Sequence, residues 1–423
     1  MLATLEFKMS LRDSFLVILG FGLITCIPPA YMGIGGMETG MRQMVQARYS
    51  FGRYLVTIPL LLNAATLTGF SLSSAVVGGQ TIATLDPSRV SVNIGIVITC
   101  LVSFAVSLFG FRTVHFWERW TWIPNLIAIV IAVGCGGAQL RFRVQDLPPA
   151  TPQQVLSYGG IIAGYFITFG GTVSDYSIYH NPIGVSKLKI FAYIYFSLLL
   201  PSVPLLTLGA AIGASVPLNP AWAEAYHATG VGGVMRQMLA YPGTAPEFQS
   251  FVLVFLALSV IGNIAVSMYS VSLNLQMLVS FFTRVPRFVF IVITMAVMIP
   301  MAMRAAVEWE KSMINFLSVI GYWAGCFDAV LIAEYLVFRG GDYMGRYDLT
   351  QWNVARLLPP GFAAMGASLV SLALVVPGMA QSWYTGPLAK VTGDIGFEMA
   401  FVVTALFYVP FRFLEIKFRG GRV

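Results

Sequence analysis

The apolar run that begins at Gly159 is interrupted by Gly170-Gly171 and then meets an acid, Asp175, before it closes at Pro182. Lipid offers backbone amides no hydrogen bond, so unwound chain at membrane depth persists only where it lines a protein cavity. Broken membrane helices recur in secondary transporters, where freed backbone groups and half-helix ends hold substrate near the midplane. The stretch therefore predicts a binding site inside a helical membrane bundle.

Ten more apolar runs surround it. With this one, at 157–179, they fall at roughly 13–33, 54–85, 90–111, 120–140, 188–216, 249–281, 286–303, 315–338, 359–380 and 396–414. Most reach the ~20 residues that a spanning helix needs. Hydrophobic residues make up 57% of the chain and charged ones 10%, against about 25% charged in soluble domains. The chain is thus read as an all-α polytopic membrane protein of eleven spans. The longest connection, about 217–248, carries A-W-A-E-A-Y-H-A and V-M-R-Q-M-L-A-Y, which suit short amphipathic helices at the interface.

The net charge of +7 is spread over loops and forms no stripe, which argues against a nucleic-acid partner and for membrane topology. Counting the first loop (Arg42, Arg48, Arg53), every second loop after it and the tail (Arg412, Lys417, Arg419, Arg422) gathers most of the 25 Lys and Arg residues on one side. The positive-inside bias makes that side cytoplasmic. Eleven spans then leave the N-terminus external. Met1 to Glu6 lacks the basic start and apolar length of a signal peptide. Cys26, Cys100, Cys135 and Cys326 lie in or near apolar spans without metal-ligand spacing and read as buried thiols. Pro28-Pro29, Pro201 and Pro204 are expected to kink or end helices.

One transporter plan uses two inverted repeats of five helices, each opening on a broken helix. The second broken helix is then the sixth span, whereas here it is the fifth. Together with an external N-terminus, this predicts that one helix is missing from the front. Residues 1–12 become a remnant and link, 13–140 the rest of the first repeat, 157–338 the second repeat and 359–414 two C-terminal helices, within one transmembrane domain.

Two polar stripes cross the apolar spans. Ser259, Asn263, Ser267, Ser270 and Asn274 recur at spacings of three and four and share one helix face. Asn63, Thr66, Phe70 and Ser74 share another, which brings a ring and a hydroxyl to one side. Such faces turn either to a water-filled cavity or to a neighbouring helix as hydrogen-bonding glue. In-membrane acids are functional suspects by default. Asp175 either serves the site or caps its broken segment. Glu334 either couples transport to an ion or pairs locally with Arg339. Asp328 lies deeper with no local partner; it is either a proton carrier or a buried hydrogen-bonded acid.

The motifs in order resemble one family. C-I-P-P-A-Y and G-M-R-Q-M-V-Q-A-R-Y-S-F-G (26–31 and 40–52) are similar to the signature of the purine-cytosine permease branch of the nucleobase–cation symporters. S-D-Y-S-I-Y at 174–179 resembles its sixth-helix motif. A-L-S-V-I-G-N with M-Y-S-V-S-L-N-L-Q (257–263 and 268–276) resembles its eighth helix, and G-Y-W with E-Y-L-V-F-R (321–323 and 334–339) its tenth. The resemblance implies twelve helices in the LeuT-type inverted-repeat fold and uptake of nucleobases, commonly with protons. The family's third-helix Gly-Trp pair, with an amide four residues on, stands here as Gly69-Phe70 and Ser74. Its sixth-helix tryptophan aligns with Phe169. Its eighth-helix A-N-N-x-P-N reads from Gly262 through Asn263 to Ser267, with one amide of three retained. Stacking between rings survives these changes, while the hydrogen-bonding edge that discriminates among bases is depleted. The resemblance also implies that the first helix supplies half of the substrate and ion site, so a chain lacking it is expected not to complete alternating access.

The expected function is proton-coupled symport of a purine, cytosine or related heteroaromatic. Phe70 and Phe169 would stack on the ring, Ser74, Asn263 and Ser267 would address its edge, and backbone freed at Gly170 would add contacts. Asp328, Asp175 and Glu334 are the coupling candidates. A proton, or alternatively sodium, is the coupling ion, and no other cofactor is expected. A vitamin B6-type substrate and a non-transporting membrane paralogue are the alternatives. With no nucleophile–base pair in view, an enzyme is not expected.

Overall fold

The computed structural model describes residues 1–108, 111–140, 147–181 and 183–421, so Pro182 and Arg422 lie outside the described residues. The main helices run in the order α1 (Leu11–Thr25), α2 (Ile27–Thr39), α3 (Thr57–Ala83), α4 (Val92–Leu108), α5 (Phe111–Gly136), α6 (Pro152–Ile167), α7 (Val173–Ser177), α8 (Lys187–Ser215), α9 (Pro220–Leu239), α10 (Pro246–Leu278), α11 (Arg287–Ala305), α12 (Trp309–Ala333), α13 (Phe362–Gly378) and α14 (Gly396–Phe418). Every apolar run of the sequence meets a helix. Among the described residues, seven helical stretches are long and apolar enough to cross a membrane, and α4 and α13 are shorter apolar helices.

Local chemistry explains the ends. Ser10 caps α1 by accepting from the Asp13 N–H at 3.0 Å, with Asp13 itself in the first turn where the helix dipole favours an acid. The run at 13–33 divides at Cys26, because Pro28 and Pro29 suit the first turn of a new helix and would break an old one. Pro201 and Pro204, by contrast, sit inside the continuous α8. Thr151 and Gln154 close a capping box on α6, with Pro152 at its first position.

The chain divides into two compact units, each drawn from both halves of the sequence. One comprises Met1–Glu6, Ala64–Gln145 and Gly209–Met313; the other comprises Phe7–Asn63, Asp146–Leu208 and Ile314–Val423. In the first unit, Val76, Ile96, Ile264, Met268 and Met298 from α3, α4, α10 and α11 form the core. The Gly78-Gly79 pair serves the α3–α4 crossing there: a Cβ on Gly95 would stand 2.9 Å from Gly79 Cα. Small residues allow this approach, as is common between membrane helices. α9 bends at Thr229-Gly230, where Gly230 has φ 64°, giving two short helices. Their apolar side is not free to lie on lipid: Trp222, Val234 and Leu239 are buried, and Leu239 packs with Ala128 and Leu253. The connection expected at the interface is therefore folded onto protein.

In the second unit, Ala163 and Ile167 of α6 pack with Ala324 and Cys326 of α12, Val375 of α13 and Ala400 of α14. Asp394, ahead of α14, pins the last connection. It accepts from Tyr322 Oη at 2.5 Å and from the Ala380 and Gly396 N–H groups at 3.0 Å. Burial pushes its carboxyl above the usual range, against the pull of those donors. Cys26, Cys100 and Cys326 are buried thiols and Cys135 is half-buried, all unbridged.

Candidate functional site

The interruption predicted at Gly170-Gly171 is present. α6 ends in a tight turn over Thr168–Gly171, Thr172 departs from helical geometry at φ −137°, and α7 resumes at Val173. The glycines are required by what lies against them. A Cβ on Gly170 would stand 2.5 Å from Asp328 Cγ, driven into both carboxylate oxygens. A Cβ on Gly171 would stand 2.5 Å from Asn63 Oδ1 and 3.4 Å from the Trp323 ring. Six residues before Gly170, a Cβ on Gly164 would collide with the Leu317 carbonyl. α12 and the start of α3 thus press on the break at backbone distance.

The three acids differ sharply in what surrounds them. Asp175 Oδ1 accepts from the Gln43 N–H at 3.0 Å, while Gln43 Oε1 accepts from the Ser174 N–H at 3.3 Å. This reciprocal brace fixes the start of α7. Glu334 is fully buried. Its Oε1 accepts from Arg339 Nε at 3.1 Å and Arg412 at 3.0 Å, and its Oε2 from Tyr408 Oη at 2.8 Å and Arg412 Nε at 3.0 Å. The local pairing with Arg339 is as the sequence suggested. Asp328 is also 0% exposed, yet neither carboxylate oxygen has a hydrogen-bond partner among the described residues. Beside the break, Phe169 is half-buried, its ring 6.3 Å from that of Tyr165 at 76°.

Gly170→Ala is expected to lower thermal stability by about 1–3 kcal/mol, the cost of overpacking a tight crossing, and to abolish uptake. The penalty should shrink in an Asp328→Ala background, since the two positions meet directly. Thermal unfolding of the single and double variants in detergent checks this, and additive losses would place the clash elsewhere.

The other candidates belong to the first unit. Asn263 Nδ2 donates to Ser74 Oγ at 2.7 Å, which unites two residues picked from separate stripes. Asn263 is exposed and Phe70 and Ser74 are half-buried, whereas Ser267, Ser270 and Asn274 are buried along α10. Ser259 bonds back to the Leu256 carbonyl at 2.6 Å and is spent on its own helix. Trp117 was not singled out in the sequence. It packs beside Gly262, where a Cβ would stand 3.2 Å from the indole Cδ1, and its Nε1 is buried without a partner. Asn63 was legible as part of a stripe, but its seat on the break was not. Glu398 of α14, also passed over, has neither carboxylate oxygen partnered among the described residues.

Cavities open in each unit, and one in the second unit is bordered by the Trp323 that lies against Gly171. One of about 390 Å³ in the second unit is lined almost wholly by apolar groups, including Phe51, Tyr322, Trp323 and Phe327. One of about 330 Å³ in the first unit is polar and is lined by Gln80, Asn93, Tyr226 and Glu310.

A helical membrane fold with a helix interrupted at a glycine pair, and behind that break an acid without a partner among the described residues, is a secondary-transporter architecture. Residues 1–403 match the family described as permeases for cytosine/purines, uracil, thiamine and allantoin, and the chain belongs to that family. It is 32% identical to the purine-cytosine permease fcyB of Emericella nidulans over 98% of this chain and 81% of that protein. It is 27% identical to the vitamin B6 transporter TPN1 of Saccharomyces cerevisiae over 99% of this chain and 81% of that one. Among solved structures, Mhp1, a nucleobase-cation-symport-1 family transporter in a closed conformation with bromovinylhydantoin bound, superposes with TM-score 0.73 at 16% identity, over 98% of this chain and 89% of that chain. Inward-facing Mhp1 superposes with TM-score 0.69 at 18% identity, over 98% and 86%. The fold is the LeuT type, as the sequence motifs implied.

Proposed function

We propose that this protein carries a purine, cytosine or related heteroaromatic across the membrane by proton-coupled symport, and is not an enzyme. The family and its named permeases support the class, and the observation that carries the mechanism is the Gly170-Gly171 break with Phe169 beside it and unpartnered Asp328 behind it. The candidate substrate contacts are Phe169 and the backbone at Gly170 in the second unit and Phe70, Ser74, Asn263 and Ser267 in the first, the rings for its face and the polar groups for its polar edge. Stacking on an aromatic is worth about 1–3 kcal/mol per base, so two rings suffice for micromolar recognition only with help from that edge. The basic loops orient the C-terminus to the cytoplasm, and we assign the protein to the plasma membrane.

Of the three coupling candidates, Asp328 is the choice. Asp175 and Glu334 already hold the donors that make a buried carboxylate tolerable. One charge moved per cycle draws about 2.3 kcal/mol per 100 mV, enough for roughly 50-fold accumulation. Cells expressing the protein should show saturable uptake of labelled cytosine, adenine, hypoxanthine or pyridoxine, steepening as the medium is acidified. Asp328→Asn should flatten that pH dependence. Absence of saturable uptake for all four compounds would remove the reading.

A further inference from the structure

Asn63 is 1% exposed, and its amide is held by one bond, from Nδ2 to the Gly171 carbonyl at 3.2 Å. That bond sets the orientation, since turning the amide would place Oδ1 against another oxygen. Oδ1 is left facing the break without a donor. Asp328 reaches the neighbouring glycine with two more oxygens, and these also lack donors. Three buried acceptors therefore meet two consecutive residues of interrupted helix. Nothing among the described residues supplies them with a hydrogen or a charge. Buried polar groups are ordinarily satisfied, and buried carboxylates are ordinarily paired or neutralised. What such a set lacks is one positive charge.

We propose that Asp328 and Asn63 Oδ1 form a binding site for one monovalent cation at the Gly170-Gly171 break, built wholly within the second unit. A proton or a sodium ion fits the same chemistry. A proton converts the Asp328 carboxylate into a donor; a sodium ion takes the carboxylate and the amide oxygen as ligands. This deepens the coupling role assigned to Asp328 above and rests on it for its meaning in transport, though the cation site itself is testable without a substrate. Asn63 is the positioning residue: it ties the cation to the backbone at Gly171, so that loading the site and holding the break become one event.

Apart from Glu398, the acids and Arg412 on the surrounding elements are engaged elsewhere. Asp175 beyond the break is bound to Gln43. On α12, Tyr322 donates to Asp394, and at its end Glu334 pairs with Arg339 and Arg412. Arg412 of α14 also holds Glu415 at 2.7 Å. Tyr165 of α6 lies 3.5 Å from Ser202. Residues 57–83, which carry Asn63, include no titratable side chain. Glu398 of α14 is the competing acid and serves as the control.

The test is thermal unfolding of the full-length protein in detergent, without substrate. One arm raises sodium chloride against choline chloride at alkaline pH, and the other acidifies in choline. The expected result is a rise in Tm in one arm, which identifies the cation. The rise should vanish in Asp328→Asn, persist in Glu398→Gln, and move to about tenfold higher cation concentration in Asn63→Leu. A merely structural Asn63 would lower Tm at every concentration without moving the midpoint. The proposal is overturned if neither cation shifts the wild type, if the shift survives Asp328→Asn, if it is lost in Glu398→Gln instead, or if the Asn63→Leu midpoint is unmoved. A cation-dependent shift in a protein that takes up no heteroaromatic would leave the site standing and remove the transport reading. Saturable uptake with no such shift would do the reverse.

Discussion

Phe169→Ala should reduce uptake of labelled nucleobase to background at low micromolar concentration, while Phe169→Trp retains it. Loss of one stacking face removes about 1–3 kcal/mol, which weakens binding roughly 5- to 150-fold. The side chain is half-buried beside the break, so truncation opens space without stripping a packed core. Stability should therefore change little. The tryptophan substitution restores the residue that the family resemblance places here, with a larger face for the same contact. Concentration-dependent uptake at matched surface expression separates the effects: a raised KM with kcat preserved marks binding. Normal uptake by the alanine variant would remove Phe169 from the site.

Arg412→Ala and Glu334→Gln should each sharply lower the yield of folded protein and the unfolding temperature. Both side chains are essentially unexposed, and Arg412 binds Glu334 twice, Glu415 at 2.7 Å and the Tyr49 carbonyl at 3.4 Å. Removing one partner strands the others without water, which costs about 3–5 kcal/mol for a buried pair. Replacing both with Glu334→Gln and Arg412→Met should cost less than the sum, because neither of the two then strands the other, although Arg339 and Glu415 each still lose one partner. Residual uptake in Glu334→Gln should keep its pH profile. A shifted profile would return Glu334 to the coupling role that its two guanidinium partners argue against.

What the sequence displayed was local. Apolar runs of spanning length located every described helix that is long and apolar enough to cross a membrane, because lipid imposes length and hydrophobicity residue by residue. Two adjacent glycines marked the break, and the turn at Thr168–Gly171 contains them. The pairing of Glu334 with Arg339 was within reach because five positions separate them. Stripe spacing chose Ser74 and Asn263, although their bond spans 189 positions and no pattern in either helix announces the other. The connection at 217–248 does form two short helices, but its sequence did not tell whether their apolar side meets lipid or protein, since amphipathic periodicity is the same in both cases. Its burial in the first unit is a packing outcome.

The acids show where sequence ends and structure begins. By itself the chain determined a polytopic helical transporter with an interrupted helix and three suspect carboxylates, since helix length, glycine breaks and motif order are properties of consecutive residues. Only the tertiary structure decided which carboxylate is uncompensated. Gln43 answers Asp175 from 132 positions away and Arg412 answers Glu334 from 78. Asp328 meets Gly170 and finds no donor. Compensation of a buried charge depends on which groups packing brings within hydrogen-bond reach, and that distance is not written in the order of residues.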